Sequence, residues 1–440
     1  MRAADGRGLG RTVSPPPGET GAKAALVSVA LTLLAIALFD LAGYLLLPPE
    51  LAVRLHPYRC PACGPPPAVP GRGVDLHDYY AADAERGFDI APNRTAKLHH
   101  VDGTTYPVWS NRLGCFDTEP GPGGEYVYLA GDSFVWGFTP YDDKLGTVLD
   151  RRLGVPVAKC GVIGTGQLHQ LGKMRGVIDA IGRRPRLIVD VYFENDVADD
   201  LVHPRYTVVD GWLEEAVGLV ERDGRFAVRP RPPAAIRAAV AAEGVVPEAG
   251  LLAALSYGAA KYSLSYDVAR GLLAQARDVV ASAAGRGPGP PRGVYRPELW
   301  QRNGRFWYAD NPYAARNRSA LREMKAYADG LGVPLFLLLI PPKQHAAEPA
   351  YYDELKAALR AMGIGFADAT EYFAENGYRW WELYWPRDAH LGPDGNGVVG
   401  NFLAERVGPL LGETGDATRA EPARGDPGAG GGEPRGPGGR

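Results

Sequence analysis

The 440-residue sequence lacks an excess of charge of either sign: 48 Lys and Arg stand against 51 Asp and Glu, a formal net charge of -3. That balance argues against a protein held on nucleic acid by phosphate contacts. No segment repeats at a fixed period, which sets repeat architectures aside. Metal-ligand spacing is missing too. Cys60 and Cys63 form a C-x-x-C pair in a Pro-rich stretch, but a zinc site would need partner residues that are not found. No βαβ pattern surrounds the pair, so a thioredoxin-like redox role is disfavoured. A local disulfide stays open beside the simpler reading of a linker. Cys115 and Cys160 stand alone and read as buried small hydrophobes. "FENDVADD" (193–200) has calcium-type residues without the spacing of a calcium loop. Neither a metal nor a cofactor is expected.

Long apolar runs are scarce, with one exception. Residues 24–47, "AALVSVALTLLAIALFDLAGYLLL", are apolar apart from Asp40 and a few small polar residues. Roughly 20 such residues span a bilayer as a helix, so the run predicts a transmembrane anchor. A cleaved signal, for which no A-x-A site follows, and a buried core helix are the rival readings. Arg2, Arg7, Arg11 and Lys23 precede the run and only Arg54 and Arg59 follow closely. The positive-inside rule then assigns residues 1–23 to the cytoplasm and everything after the run to the periplasm or cell surface, a single-pass membrane protein.

What remains is a linker (48–85), a body (86–200 and 311–411), an insertion within it (201–310) and a tail (412–440) of Gly, Pro, Glu and Arg that reads as disordered. Five apolar runs stand out in the body: "EYVYLA" (125–130), "VPVAKC" (155–160), "RLIVDVYF" (186–193), "VPLFLLLI" (333–340) and "IGFADA" (364–369). The third and fourth are nearly continuous, as expected of parallel strands buried on both faces. Helical segments alternate with them, so an α/β fold with a five-stranded parallel sheet is predicted. The insertion separates strands three and four and carries an Ala-rich helical piece (249–284); a lid or a structural outgrowth are its two readings.

Each strand is followed by chemistry. The first ends in Gly131-Asp132-Ser133, the second in "CGVIGTGQ", the third in Phe193-Glu194-Asn195-Asp196, and the fifth is followed by Asp388-Ala389-His390. In open α/β sheets ligands bind at the carboxyl ends of the strands. A serine hydroxyl becomes a nucleophile when a neutral histidine accepts its proton, and a carboxylate holds that imidazole in the right tautomer. The backbone N–H groups of Ser133 and Gly164 and the Asn195 amide are candidate donors to an oxyanion. The site is not a G-x-S-x-G elbow, because Val135 stands where glycine is needed. His169, His203 and His345 read as packing or surface histidines, and Asp196 as a cap. Trp380, Trp381 and Trp385 precede the Asp-His pair and either stack on a substrate or pack its loop.

These residues resemble the SGNH, or GDSL-type, hydrolases over about residues 87–410. The resemblance implies a three-layer, flavodoxin-like fold with Ser133 as nucleophile, His390 as base, Asp388 orienting it, and Ser133, Gly164 and Asn195 forming the oxyanion hole. It implies an esterase acting on an ester or acylated carbohydrate through an acyl-enzyme, here as a membrane-anchored bacterial member. There are departures. Phe193 replaces a glycine of the third block, and Lys159 stands where an Asn often begins the second. The two-residue step from Asp388 to His390 is similar to the alginate O-acetyltransferase branch. Acyl transfer to an envelope or secreted polysaccharide, or a non-catalytic carbohydrate-binding or assembly role, are the alternatives.

Overall fold

Unbroken runs of β-branched, aromatic and leucine residues can be extended only where both faces are covered. In a computed structural model, which describes residues 19–47, 76–100, 105–222, 224–243, scattered positions from 264 to 276, 294–385 and 388–412, the five runs are strands. They are Val127–Gly131 (β1), Val157–Lys159 (β2), Leu187–Tyr192 (β3), Leu335–Leu339 (β4) and Gly365–Asp368 (β5). All pair in parallel, in the order β5-β4-β3-β1-β2. The helices are Ser133–Trp136 (α1), Leu145–Leu153 (α2), Gln167–Ile181 (α3), Asp196–Leu201 (α4), Ala315–Leu331 (α5), Asp353–Ala361 (α6), Ala369–Glu375 (α7) and Pro393–Gly412 (α8).

The period of two along each strand divides the core. Tyr128, Ile188 and Leu337 face Leu171 and Met174 of α3, Leu321 and Met324 of α5, and Leu355 of α6. Leu129, Val189 and Leu338 face Leu145 and Leu149 of α2, Phe373 of α7, and Phe402 and Leu403 of α8. Three layers result, the SGNH-type α/β arrangement that the sequence predicts. Because β1 lies between β2 and β3, the chain reverses direction across the sheet there. The loops after β1 and β3 thus flank the crevice where such sheets bind ligands.

Two antiparallel ribbons, Tyr80–Asp83 with Gly87–Ile90 and Thr95–His99 with Thr105–Trp109, form a satellite core. Tyr79, Phe88, Leu98, Tyr106, Val108 and Phe116 pack there around Trp136 and Val162 from the loops of the sheet. The insertion holds three more ribbons: Tyr206–Val209 with Trp212–Glu215, Val217–Arg222 with Arg225–Pro230, and Gln301–Arg302 with Arg305–Phe306. Two of their turns carry Asp210-Gly211 and Asn303-Gly304. These dipeptides favour the positive φ that tight hairpins need. The Ala-rich piece is described only at scattered positions, which are helical. Cys60, Cys63 and residues 413–440 lie outside the described residues.

Two expectations are overturned. Residues 24–47 do fall in a helix, Glu19–Leu46, but among the described residues no helix is long and apolar enough to cross a membrane. Ser28, Thr32, Asp40 and Gly43 interrupt the run, and Asp40 accepts hydrogen bonds from the backbone N–H and hydroxyl of Ser265, both at 2.7 Å. Its carboxylate is bound within this chain rather than carried toward a bilayer. The transmembrane anchor, the membrane as a partner, the cytoplasmic N-terminus with an extracytoplasmic body, and the likeness to a membrane-anchored family member are withdrawn with it.

The second correction concerns the two lone cysteines. Cys115 and Cys160, 45 residues apart, form a disulfide with a Cα–Cα distance of 4.6 Å. Sequence spacing gave no sign of it, because tertiary packing of the lead-in against the end of β2 brings them together. Beside it, buried Lys159 pairs with Asp117 at 2.9 Å and with Asp150 at 3.3 Å. Lys159 thus ties the second block to the lead-in. Closing a loop of this length restricts the unfolded chain by about 4 kcal/mol in the chain-entropy view. Replacing both cysteines with alanine should lower the unfolding free energy by about 2–5 kcal/mol, read by urea denaturation of oxidised protein. Added reductant should destabilise the wild type and leave the double variant unchanged.

Candidate active site

β1 stops on Gly131, whose φ of 153° lies outside the range of side-chain-bearing residues. A Cβ there would stand 2.5 Å from Val135 Cγ2. The chain can therefore turn from strand into α1 without a spacer. Asp132 caps that helix, its carboxylate accepting from the Phe134 N–H at 2.9 Å, and Ser133 is its first residue. The Ser133 hydroxyl lies 2.8 Å from His390 Nε2. His390 Nδ1 is hydrogen-bonded to Asp388 Oδ1, and the His390 backbone N–H donates to the same oxygen at 2.8 Å. The two-residue step makes this possible: the carboxylate folds back on both the backbone and the ring of its neighbour. With Nδ1 protonated toward Asp388, Nε2 is left to accept from serine.

Aromatic rings hold the imidazole. Phe138 and Phe134 lie 4.3 Å and 5.0 Å from its centre, and Phe193 packs 4.5 Å from Phe134. Phe193 therefore buttresses the ring that supports His390. Of the three tryptophans, Trp385 packs the loop: its Nε1 donates to the Phe138 carbonyl at 3.0 Å and its backbone N–H to the His390 carbonyl at 3.0 Å. Trp380 joins the core edge. His169 is buried against Phe88, His203 lies near it, and His345 stacks on Tyr351, so these three serve packing.

The sequence did not single out His100, which follows the strand Thr95–His99. Its Nε2 is 3.3 Å from Asp388 Oδ2. Burial works to raise the Asp388 carboxyl, but hydrogen bonding and charge from His100 and His390 outweigh it and hold the group well below the usual carboxylate range. The adjacent pair His99-His100 was the available signal, though nothing in it indicated which imidazole would reach the site.

The Val162 N–H donates to the Gly131 carbonyl at 3.1 Å, which lays the glycine-rich loop after β2 beside the turn that carries Ser133. Gly164 follows with φ of 68°, and a Cβ there would come within 2.9 Å of the Tyr206 ring. Asn195 Nδ2 donates to Asp199 Oδ2 at 2.9 Å and makes longer contacts with Asp132 Oδ2 at 3.3 Å and the Tyr295 hydroxyl at 3.4 Å. Tyr206, Tyr295 and Arg205, whose guanidinium stacks on both tyrosines, all come from the insertion. Sequence reasoning missed them because their approach is set by tertiary packing.

Beneath the site lie buried acids. Gln167 Nε2 donates to Asp196 at 2.6 Å and Asp190 at 3.3 Å. Asn317 Nδ2 donates to Asp200 at 2.8 Å, and Arg205 pairs with Asp199 at 2.8 Å. Asp196 also accepts from the Phe193 N–H at 3.3 Å. Burial pushes Asp190 and Asp200 up to about 7 and Asp199 to about 6. Among the described residues, no group of three or more His, Cys, Asp or Glu could hold a metal ion.

No family model matches the chain, and no curated protein does. Among solved structures it is similar to a protein described as lipolytic and of the G-D-S-L family from Desulfitobacterium hafniense DCB-2. The identity is 9% and the TM-score 0.33, over 64% of this chain and 99% of that one. It is also similar to a lipase/acylhydrolase from Enterococcus faecalis, at 10% identity and a TM-score of 0.32, over 65% and 96%. At these scores neither likeness bears weight, and the fold is read from its own strand order.

The buried acids make stability depend on pH. A carboxyl raised from 3.8 to about 7, as Asp190 is, holds a proton in the folded chain that the unfolded chain has lost. Stability from this group therefore falls as pH rises through that window and is level above it. Burial lowers His169 to about 3 and His203 to about 4; they release protons on folding, so their contribution rises with pH and opposes the acids. The comparison of Asp190→Asn with wild type cancels the histidines. The variant should gain on the order of 2–4 kcal/mol relative to wild type between pH 5 and pH 8, measured by denaturant titration at both pH values. A difference independent of pH would show that Asp190 does not titrate in this range.

Proposed function

We propose that this protein is a serine esterase that cleaves an O-acyl ester through an acyl-enzyme, with Ser133 as nucleophile, His390 as general base and Asp388 as the group that orients His390. The observation that carries the reading is the continuous chain from Ser133 Oγ to His390 Nε2, at 2.8 Å, and on through Nδ1 to Asp388. Two segments 257 residues apart in sequence contribute to it, at the carboxyl edge of a parallel sheet.

In the reaction, Ser133 Oγ attacks the ester carbonyl as its proton passes to His390 Nε2, and Asp388 stabilises the imidazolium that forms. The negative oxygen of the tetrahedral intermediate takes hydrogen bonds from the backbone N–H groups of Ser133 and Gly164 and from Asn195 Nδ2. One hydrogen of that amide is committed to Asp199. The other makes only long contacts, at 3.3 and 3.4 Å, and is the one available to the oxyanion. His390 then protonates the departing alcohol, takes a proton from water, and returns it to Ser133 as the acid leaves.

Ser133→Ala should abolish hydrolysis of p-nitrophenyl acetate and labelling by a fluorophosphonate probe; a variant that still turns over the ester would remove the assignment. Asn195→Ala should lower kcat by about 10²–10³-fold with little change in KM, as for a lost oxyanion donor. The melting temperature should also fall, because Asp132 and Asp199 both lose the donor that bridges them. A drop in stability with kcat preserved would make Asn195 structural only.

A further inference from the structure

We propose that His100 is a positioning residue for this reaction, holding the second carboxylate oxygen of Asp388 so that the first stays on His390. The proposal rests on Ser133, His390 and Asp388 being the reacting set. Asp388 Oδ1 already takes two hydrogen bonds from His390, one from the backbone and one from the ring. Oδ2 is left to fix the plane of the carboxylate, and His100 Nε2 stands within hydrogen-bond distance of it at 3.3 Å. A carboxylate held at one oxygen only can rotate about its Cβ–Cγ bond. That rotation would swing the acceptor out of the imidazole plane and loosen the tautomer that leaves Nε2 free to take the serine proton.

The contact is held on both sides. The His100 side chain is 2% exposed. Its ring lies 4.6 Å from that of Trp385, tilted by 35°, and 5.8 Å from that of Phe138. Trp385 is itself pinned to Phe138 and to the backbone of His390. An imidazole enclosed by aromatic faces keeps a polar edge there only at a cost in desolvation, unless that edge meets a partner; the edge meets Asp388. His100 leaves the ribbon Thr95–His99, whose partner strand carries Tyr106 with a buried hydroxyl that Asp388 also influences. The lead-in ribbon thereby becomes part of the catalytic support, reaching the carboxylate oxygen of Asp388 that His390 leaves.

The test compares three substitutions in the full chain. His100→Leu keeps bulk and removes the donor. His100→Gln keeps an N–H at about the reach of Nε2. His100→Asn keeps an amide too short to reach Oδ2. With p-nitrophenyl acetate, the Leu and Asn variants should lose about tenfold to a hundredfold in kcat while KM stays within about twofold. The Gln variant should return to within about threefold of wild type. A packing role would follow side-chain volume and melting temperature, and would not separate Gln from Asn. If the Leu variant does not fold, the Gln and Asn pair carries the comparison. Wild-type kcat in the Leu or Asn variant, or a Gln variant as impaired as Asn at equal melting temperature, would overturn the proposal. An active Ser133→Ala would instead overturn the reading beneath it, so the two failures are distinct.

Discussion

Taking a carboxylate out of water costs several kcal/mol unless its oxygens find donors, and Asp132, Asp190, Asp196, Asp199 and Asp200 all lie buried at the carboxyl edge of the sheet, behind Ser133. Much of the local architecture answers that demand. Gln167 at the start of α3 reaches two of them, Asn317 of α5 reaches a third, and Arg205 enters from the insertion for a fourth. The Leu168 N–H serves Asp200 as well, at 2.9 Å. Helices α3, α4 and α5 are thus joined by polar contacts as well as by the apolar core between them. The insertion is tied to the same network through Arg205 and Tyr295.

The acids near the nucleophile are treated in opposite ways. Asp132, beside Ser133 and fully buried, is raised by desolvation despite its hydrogen bonds. Asp388, mostly buried in its loop and faced by two imidazoles, is lowered because their hydrogen bonds and charge outweigh desolvation. Asp388 lies behind His390 and accepts from its ring and its backbone N–H. Asp132 sits beneath the serine, 3.2 Å from its hydroxyl.

The parallel sheet was legible because its strands are buried on both faces and so read as continuous apolar runs; four of the five predicted runs contain their strands, and the first strand runs one residue past its run, to Gly131. The residues at the strand ends were legible for a related reason. Gly131-Asp132-Ser133 and Asp388-Ala389-His390 are local motifs, and their geometry depends on few neighbours. The ribbons of the insertion were missed although Asp210-Gly211 and Asn303-Gly304 signalled two of their turns, because an Ala-rich stretch drew the region toward helix. The disulfide, His100 and Tyr295 were not legible for a deeper cause. Each acts through a contact between segments that only the folded chain brings together, and spacing along the sequence carries no trace of it. The helix Glu19–Leu46 failed differently: hydropathy averages over the run and takes no account of where a single carboxylate finds its partner.

The serine and its histidine are 257 residues apart, and this sets the order in which the protein can become competent during synthesis. A ribosome delivers β1 and the nucleophile turn early, and all five strands have emerged by Asp368. The sheet can therefore assemble while His390 is still within the exit tunnel, some twenty residues behind. Until that loop is released and α8 packs onto α2, the Ser133 hydroxyl lacks the imidazole that stands beside it in the folded chain. The carboxyl-terminal layer is thus the last part of the Ser133, His390 and Asp388 arrangement to form.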